Sequence, residues 1–485
     1  MIKSFAKDIL KYSPSKILPG LFGVLIIPAF TRLFEPDEYG QYVLVISSIA
    51  VLSIIAIDWI NTSVVRFYAG YEKKVQLKLF NGTIIRLTGL SIIGLSTISL
   101  VVLYFFKSYF NSSLYYYLNI GLLIFGVGAV FNVMLEMLVV KRNPTLYSLA
   151  SIWRQCGCIL IGICVVAFSR LSVDGLLWGI FIGILITLPI LFRLTFKKLN
   201  LKLYSKELRI NIVSYGFPLV ATNLAAWILA LSDRYMIEYF RGSHEVGFYS
   251  ISYSLADRSI QLIVSLMILS SAPIAMKLWA TKGIDATSLF VRDLTKYYMI
   301  ITLPAAVGLS LLAKPILQLL ATQSFYEGYK IMPLVAASIF LFGLQRNFQL
   351  GLLFYKKTKL IMYILLISAL INIILNIYFI PKYGFIAAGY TTLFSYAIFA
   401  VLIIFISRRY FIFQFPFKTL FTTLVSVVVM SIVVLYTIGL NLESATETIL
   451  ISIILGIIIY FISLLIMKEI NKNTIKNILR LFKRN

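Results

Sequence analysis

Residues 360–406 read LIMYILLISALINIILNIYFIPKYGFIAAGYTTLFSYAIFAVLIIFI. Two apolar runs, near 358–379 and 384–406, meet at the break Pro381-Lys382-Tyr383-Gly384, and Lys382 is the one charge in the quoted stretch. A helix needs roughly 20 apolar residues to cross the hydrocarbon of a bilayer. Each run is therefore a predicted membrane span, and the break is a turn at the membrane surface. The same pattern recurs along the chain. Apolar runs bounded by charge, Pro, Gly or Asn predict spans near 15–33, 40–62, 82–106, 114–140, 145–169, 174–193, 211–233, 245–272, 293–313, 329–354, 358–379, 384–406, 417–440 and 447–467.

Composition agrees. Of 485 residues, 60% are hydrophobic and 13% charged, with a mean hydropathy of +0.93. A soluble domain is nearer half apolar and a quarter charged. A soluble enzyme, a disordered chain and a nucleic-acid module are excluded, whatever the net charge of +25 suggests. Fourteen spans leave short loops and no room for a sizeable water-exposed domain. The expected class is an all-α polytopic membrane protein.

The basic residues fix an expected orientation. With the N-terminus in the cytoplasm, the inner segments hold 33 Lys and Arg, the outer segments hold 8, and Arg154, Arg258 and Arg346 lie inside spans. That asymmetry follows the positive-inside bias and places both termini inside. It also accounts for the basic character without nucleic acid, since such loops face anionic lipid headgroups. Residues 1–14 show no cleavable signal peptide. Phe5, Ile9 and Tyr12 suggest an interfacial helix there.

The chain repeats. Glu38-Tyr39-Gly40-Gln41-Tyr42 opens the second span and Glu245-Val246-Gly247-Phe248-Tyr249 the eighth, an E-x-G-x-Y pattern. Gly175 and Gly179 open the sixth span, as Gly384 and Ala388 open the twelfth. Small residues four apart let helices approach closely. The expected organisation is an interfacial segment (1–14), a six-helix bundle (15–193), a basic cytoplasmic linker (194–210) and a second six-helix bundle (211–406). Two added helices (407–467) and a basic cytoplasmic tail (468–485) follow. An even span number per half makes the repeat parallel, about an axis normal to the membrane.

Reactive residues are few. Cys156, Cys158 and Cys164 share one apolar stretch and offer neither a disulfide framework nor zinc spacing. His244 is the sole histidine. No metal, no cofactor and no catalytic residue is expected. A G-x-x-x-x-G-K-[ST] phosphate loop is missing, so the chain does not itself hydrolyse ATP.

Charges inside the spans are the informative feature. Arg258 lies about 13 residues into its span, near mid-bilayer at roughly 1.5 Å per residue. Arg154 is similarly deep, and Arg346 sits in the polar run Gln345-Arg346-Asn347-Phe348-Gln349. An ionisable residue at such depth is a functional-site hypothesis by default. The plainer reading is a structural ion pair. Arg32 and Arg66, near span ends, could simply snorkel to headgroups. Four acids complete the set: Asp58 near the inner end of span two, Glu136 near that of span four, Asp233 at the end of span seven, and Asp257 beside Arg258. Each is a candidate for ion coupling or for a salt bridge.

Three stretches carry a family resemblance. SDRYMIEYFRGSHEVGFYSISYSLADR (232–258) resembles the span 7–8 region of the polysaccharide-export flippases of the Wzx or O-antigen type. GLLFYKKTKLIMYILLISALINIILNIYFIPKYGFIAAGYTT (351–392), with Asn372 and Asn376, resembles their span 11–12 region. ILPGLFGVLIIPAFTRLFEPDEYGQY (17–42) resembles their first hairpin. The wider superfamily includes multidrug/cation antiporters and peptidoglycan-precursor flippases. The resemblance implies a V-shaped two-lobe fold with a central cavity that opens alternately to each side. It implies undecaprenyl-pyrophosphate-linked oligosaccharide as cargo, moved to the outer leaflet of a bacterial plasma membrane. Membrane lipids, a polysaccharide polymerase and glycosyltransferases are the implied partners.

The residues suit such a task. A guanidinium stays charged and donates two parallel hydrogen bonds to a phosphate. Arg258, Arg346, Arg154, Arg32 and Arg66 are the candidate headgroup residues. A drug/cation antiporter would favour an acidic cavity, whereas the deepest charges here are three arginines against one aspartate. A glycan polymerase or ligase would need a substantial outer loop. The longest expected here spans about 314–328, with Lys314 and Glu327 as its charges.

Overall fold

The computed structural model describes residues 14–73, 76–169, 171–197, 199–440 and 444–469. Among them the regular elements are all helical. Twelve helices are long and apolar enough to cross a membrane. The two further expected spans appear in altered form. The first is broken into α1 (Pro14–Leu25) and α2 (Ile27–Leu33). Pro28 has no N–H to continue the ladder and sits at the start of α2, where a missing donor is harmless. The eighth and ninth run together as one helical stretch, Ser243–Leu311, interrupted at Gly283 with φ +75°. The segment expected as the longest outer loop is instead the helix Ala313–Leu320 followed by a 3₁₀ stretch, Gln323–Ile331. Apart from Pro14, the expected interfacial helix lies outside the described residues, as does most of the basic tail.

The chain forms two compact units, 1–247 and 248–485. In the first, α3 (Pro36–Ser53) and α4 (Trp59–Lys73) flank a π turn, Ile54–Asp58. There follow α5 (Leu77–Phe105) and α6 (Ser112–Val140). Next come α7 (Pro144–Ile152), a second π turn (Trp153–Gly157) and α8 (Cys158–Phe168). Then come α9 (Val173–Thr195) and α10 (Lys206–Arg241). Helix α6 packs against α3 and α9, and α9 against α8.

Close packing explains the glycine pattern. A Cβ on Gly179 would fall 2.3 Å from Gly162 Cα, so α9 and α8 touch backbone to backbone. The two E-x-G-x-Y glycines meet each other. A Cβ on Gly40 would sit 2.1 Å from the Ser243 carbonyl oxygen and 3.1 Å from Gly247 N, and one on Gly247 would sit 1.9 Å from the Pro36 carbonyl oxygen. The repeated motif is thus a reciprocal helix-start contact.

The second unit holds α11 (Met332–Phe354), α12 (Thr358–Tyr383), α13 (Phe385–Ser407), α14 (Phe417–Gly439) and α15 (Ala445–Ile466) after the Ser243–Leu311 stretch. Gly384, at φ +63°, ends α12 where a side chain would be strained. Asn372 and Asn376, each at most 1% exposed, join α12 to α13. Asn376 Nδ2 donates to Asn372 Oδ1 at 3.1 Å, and the Thr391 hydroxyl donates to Asn376 Oδ1. The final pair α14–α15 packs on the Ser243–Leu311 stretch through Ile300, Met430, Val434 and Leu464, and the Tyr460 hydroxyl donates to the Ile300 carbonyl at 2.7 Å.

Candidate functional site

Both π turns in the first unit carry an intramembrane charge. One extra residue in a helical turn frees a carbonyl and re-aims a side chain, which is why such turns recur at functional sites. Asp58 closes the first turn, and its Oδ2 accepts from Asn223 Nδ2 of α10 at 3.1 Å. The Ala56 carbonyl of that turn is taken up by the Ser91 hydroxyl of α5 at 2.7 Å. Nearby, Asn61 Oδ1 is buried with no hydrogen-bond partner among the described residues.

Arg154 lies in the second π turn and is half-buried. Its guanidinium is 5.7 Å from the Phe131 ring centroid and 3.6 Å from where a Gly128 Cβ would stand. The neighbouring Trp153 Nε1 donates to the Gly183 carbonyl at 3.0 Å and pins the turn to α9. Among the described residues no carboxylate pairs with Arg154.

The second unit holds two more such cations. Arg346 is exposed on α11, 5.5 Å from the Phe342 ring centroid. Its neighbours Gln345 and Asn347 are buried, and Gln345 Oε1 and Asn347 Nδ2 have no hydrogen-bond partner among the described residues. Arg258 is exposed on the Ser243–Leu311 stretch. Neither arginine makes an ion pair among the described residues.

The other expected residues are placed differently. Arg32 is exposed in the last turn of α2. Arg66 stacks on Tyr215 of α10 at 4.2 Å from its centroid, so its charge rests on an aromatic face. Asp233, 2% exposed, pairs with Arg234 Nη1 at 3.0 Å, and that nitrogen also donates to the Ala230 carbonyl at 2.9 Å. Glu136 and Asp257 are half-buried. Within the first unit no ion pair joins Arg32, Arg66 or Arg154 to Asp58 among the described residues.

A cavity in the first unit, about 1310 Å³, is lined by none of the nine expected residues. Its walls are largely apolar, with Ser48, Trp227, Tyr235, Glu238 and Arg241 supplying polar points. Ser48 Oγ and the Tyr235 hydroxyl are 2.7 Å apart. Glu238 Oε1 accepts from the Ser243 hydroxyl at 2.9 Å, while Glu238 Oε2 and Trp227 Nε1 are buried with no hydrogen-bond partner among the described residues. One is an acceptor and the other a donor, so the cavity can hold a polar group against apolar walls. Glu238 is not among the residues singled out by the sequence. The available signal is an acid five residues beyond Asp233, past the expected end of that span but within α10.

A multi-pass membrane protein with twelve candidate spans among its described residues, two of which carry Arg154 and Arg346 without an ion-pair partner there, is thereby defined. The chain matches the polysaccharide biosynthesis protein family over residues 5–279, more than half its length, and belongs to that family. Residues 218–378 also match the MatE family. The fold is similar to that of the lipid II flippase MurJ in an inward closed conformation, with a TM-score of 0.74, 18% identity, and 96% of this chain and 99% of that one covered. It is similar to an inward-facing multidrug resistance MATE family transporter of the MOP superfamily at a TM-score of 0.63, 11% identity, and 80% and 94% coverage. A MOP superfamily transporter from Pyrococcus furiosus aligns at 0.54, with 13% identity over 83% of this chain and 95% of that one. An uncharacterized membrane protein of Methanocaldococcus jannaschii is 26% identical over 200 residues, covering 40% of this chain and 39% of that relative's length.

Proposed function

We propose that this protein is a flippase that carries a polyprenyl-pyrophosphate-linked oligosaccharide from the cytoplasmic to the outer leaflet of a bacterial plasma membrane, for surface polysaccharide assembly. The obstacle is physical: a pyrophosphate and many hydroxyls must cross hydrocarbon, where each unpaired polar group costs several kcal/mol. No bond chemistry is needed. What is needed is fixed positive charge at depth, and the carrying observation is that Arg154, Arg258 and Arg346 have no carboxylate partner among the described residues. An unpaired guanidinium within a span is costly, by about 2.5–3.5 kcal/mol on insertion scales. A cargo phosphate that neutralises it explains why it is kept. Membership of the polysaccharide biosynthesis family supports the reading, and the likeness of fold to a lipid II flippase is compatible with it.

In this reading Arg258, Arg346 and Arg154 hold the pyrophosphate, with Arg32 and Arg66 contributing where the headgroup enters. Two six-helix halves (15–193 and 211–406) alternate access, with both termini cytoplasmic. An ion gradient or the membrane potential drives the cycle, and Asp58 is the acid best placed to carry a coupling proton, since Asp233 is already paired. Undecaprenyl pyrophosphate is the expected lipid carrier, and glycosyltransferases and a polymerase act before and after. A deletion strain tests this. Lipid-linked repeat units should accumulate on the inner leaflet and clear on complementation. Normal surface polymer without accumulation would refute the assignment.

The MatE match favours one second reading, a multidrug or cation antiporter. That protein would extrude cationic drugs from intact cells and would not alter surface glycan.

A further inference from the structure

The second unit carries a charged cleft lined by none of the proposed headgroup residues. It has a volume of about 560 Å³ and is walled by the Ser243–Leu311 stretch, the segment 414–416 leading into α14, and the turn 467–469 after α15. Four cations, Arg292, Lys296, Lys418 and Lys468, face it with two carboxylates, Asp293 and Glu469.

Both carboxylates are occupied. Glu469 Oε1 is 2.7 Å from Lys296 Nζ and accepts from the Thr419 hydroxyl at 2.6 Å, while its Oε2 accepts from Thr422 at 3.2 Å. Asp293 Oδ1 pairs with Arg292 at 3.2 Å, and Arg292 Nη1 also donates to Gln414 Oε1 at 3.3 Å. Lys418 and Lys468 are exposed and have no partner among the described residues. Two ammonium groups are therefore left unneutralised at the mouth of a cleft whose other charges are satisfied.

The cleft has an apolar edge. Phe415, Pro416 and Phe417 complete its lining. Phe417 is 69% exposed, Phe421 one turn further along α14 is 65% exposed, and Ile466, two residues before Lys468, is 74% exposed. These side chains belong to helices long and apolar enough to cross a membrane, and they offer an apolar wall beside the cleft on which acyl chains could lie. A soluble anion would need the lysines and have no use for that wall. A zwitterionic lipid would match the wall but bring no net charge.

We infer that this cleft binds the phosphodiester headgroup of an anionic phospholipid. Lys418 and Lys468 hold the phosphate, and the acyl chains run along Phe417, Phe421 and Ile466. Clefts of basic residues between helices at the membrane surface suit such headgroups.

The test uses the full chain in detergent, titrated with phosphatidylglycerol, phosphatidylcholine or inorganic phosphate, with bound ligand counted by mass spectrometry of the intact protein. In the Lys418→Gln/Lys468→Gln variant, phosphatidylglycerol should bind on the order of tenfold more weakly. Phosphatidylcholine binding should not change, and Lys314→Gln, an exposed lysine outside the cleft, should retain phosphatidylglycerol like the wild type. Inorganic phosphate at millimolar concentration should fail to displace phosphatidylglycerol. Unaltered phosphatidylglycerol binding in the double variant would overturn the inference. Displacement of the lipid by inorganic phosphate alone would also overturn it, because the site would then be one for free anions.

Discussion

Arg154 separates a structural role from a functional one. A guanidinium held for stability would have a carboxylate beside it, and none pairs with it among the described residues. Removing it should therefore relieve the fold. Arg154→Leu is expected to raise or leave unchanged the thermal midpoint of the purified protein while abolishing export of surface polymer. A fall of many degrees with the same loss would instead mark Arg154 as a packing residue. At Arg346 the distinction is geometric. Lysine keeps the charge and loses the planar fork. Losing a charge-assisted hydrogen bond costs about 1.5–3 kcal/mol, so Arg346→Lys should weaken cargo binding by roughly tenfold or more. Equal binding by the lysine variant would show that charge alone matters there.

At the scale of elements, two contacts carry predictions. The start of α3 lies against residues 243–247 because Gly40 and Gly247 present no side chain. Gly40→Ala forces a Cβ onto a carbonyl oxygen and should destabilise by about 1–3 kcal/mol, as overpacking does. Gly94→Ala in α5, with nothing within 4 Å, should be neutral or slightly stabilising. A thermal melt of each variant in detergent decides between them. The turn after α15 is expected to be sensitive to acid. Burial alone would raise the Glu469 carboxyl, but hydrogen bonds from Lys296, Thr419 and Thr422 together with the Lys296 charge hold it below its ordinary value of 4.5. A carboxylate lowered by folding stabilises the folded state above the unfolded pKa and stops doing so as pH falls through the folded value. The α14–α15 pair should lose hydrogen-exchange protection as pH falls below that ordinary value and through the lower folded one, and Glu469→Gln should remove that pH dependence.

At the scale of the molecule, most of the helices were legible, because an apolar run of the right length has one stable state in a bilayer. Where the sequence reading and the structure part company, local backbone chemistry is the cause. Pro28 starts a new helix within the first span, Gly283 kinks the Ser243–Leu311 stretch, and 313–331 winds into short helical turns where a loop was expected. The site was legible only as charges at depth. Apolar periodicity says nothing of the π turns that hold Asp58 and Arg154, nor of Tyr215 stacking on Arg66, because those depend on which helix lies opposite. Glu238 and Trp227 went unseen for the same reason. At the centre of the proposed function, cargo phosphate meets unpaired guanidinium within the membrane. Its most direct test is translocation of an undecaprenyl-pyrophosphate oligosaccharide in proteoliposomes, comparing wild type with Arg154→Ala, Arg258→Ala and Arg346→Ala at equal protein incorporation. The wild type should translocate the lipid, and each variant should lose that activity. Full translocation by all three variants would contradict the proposed function.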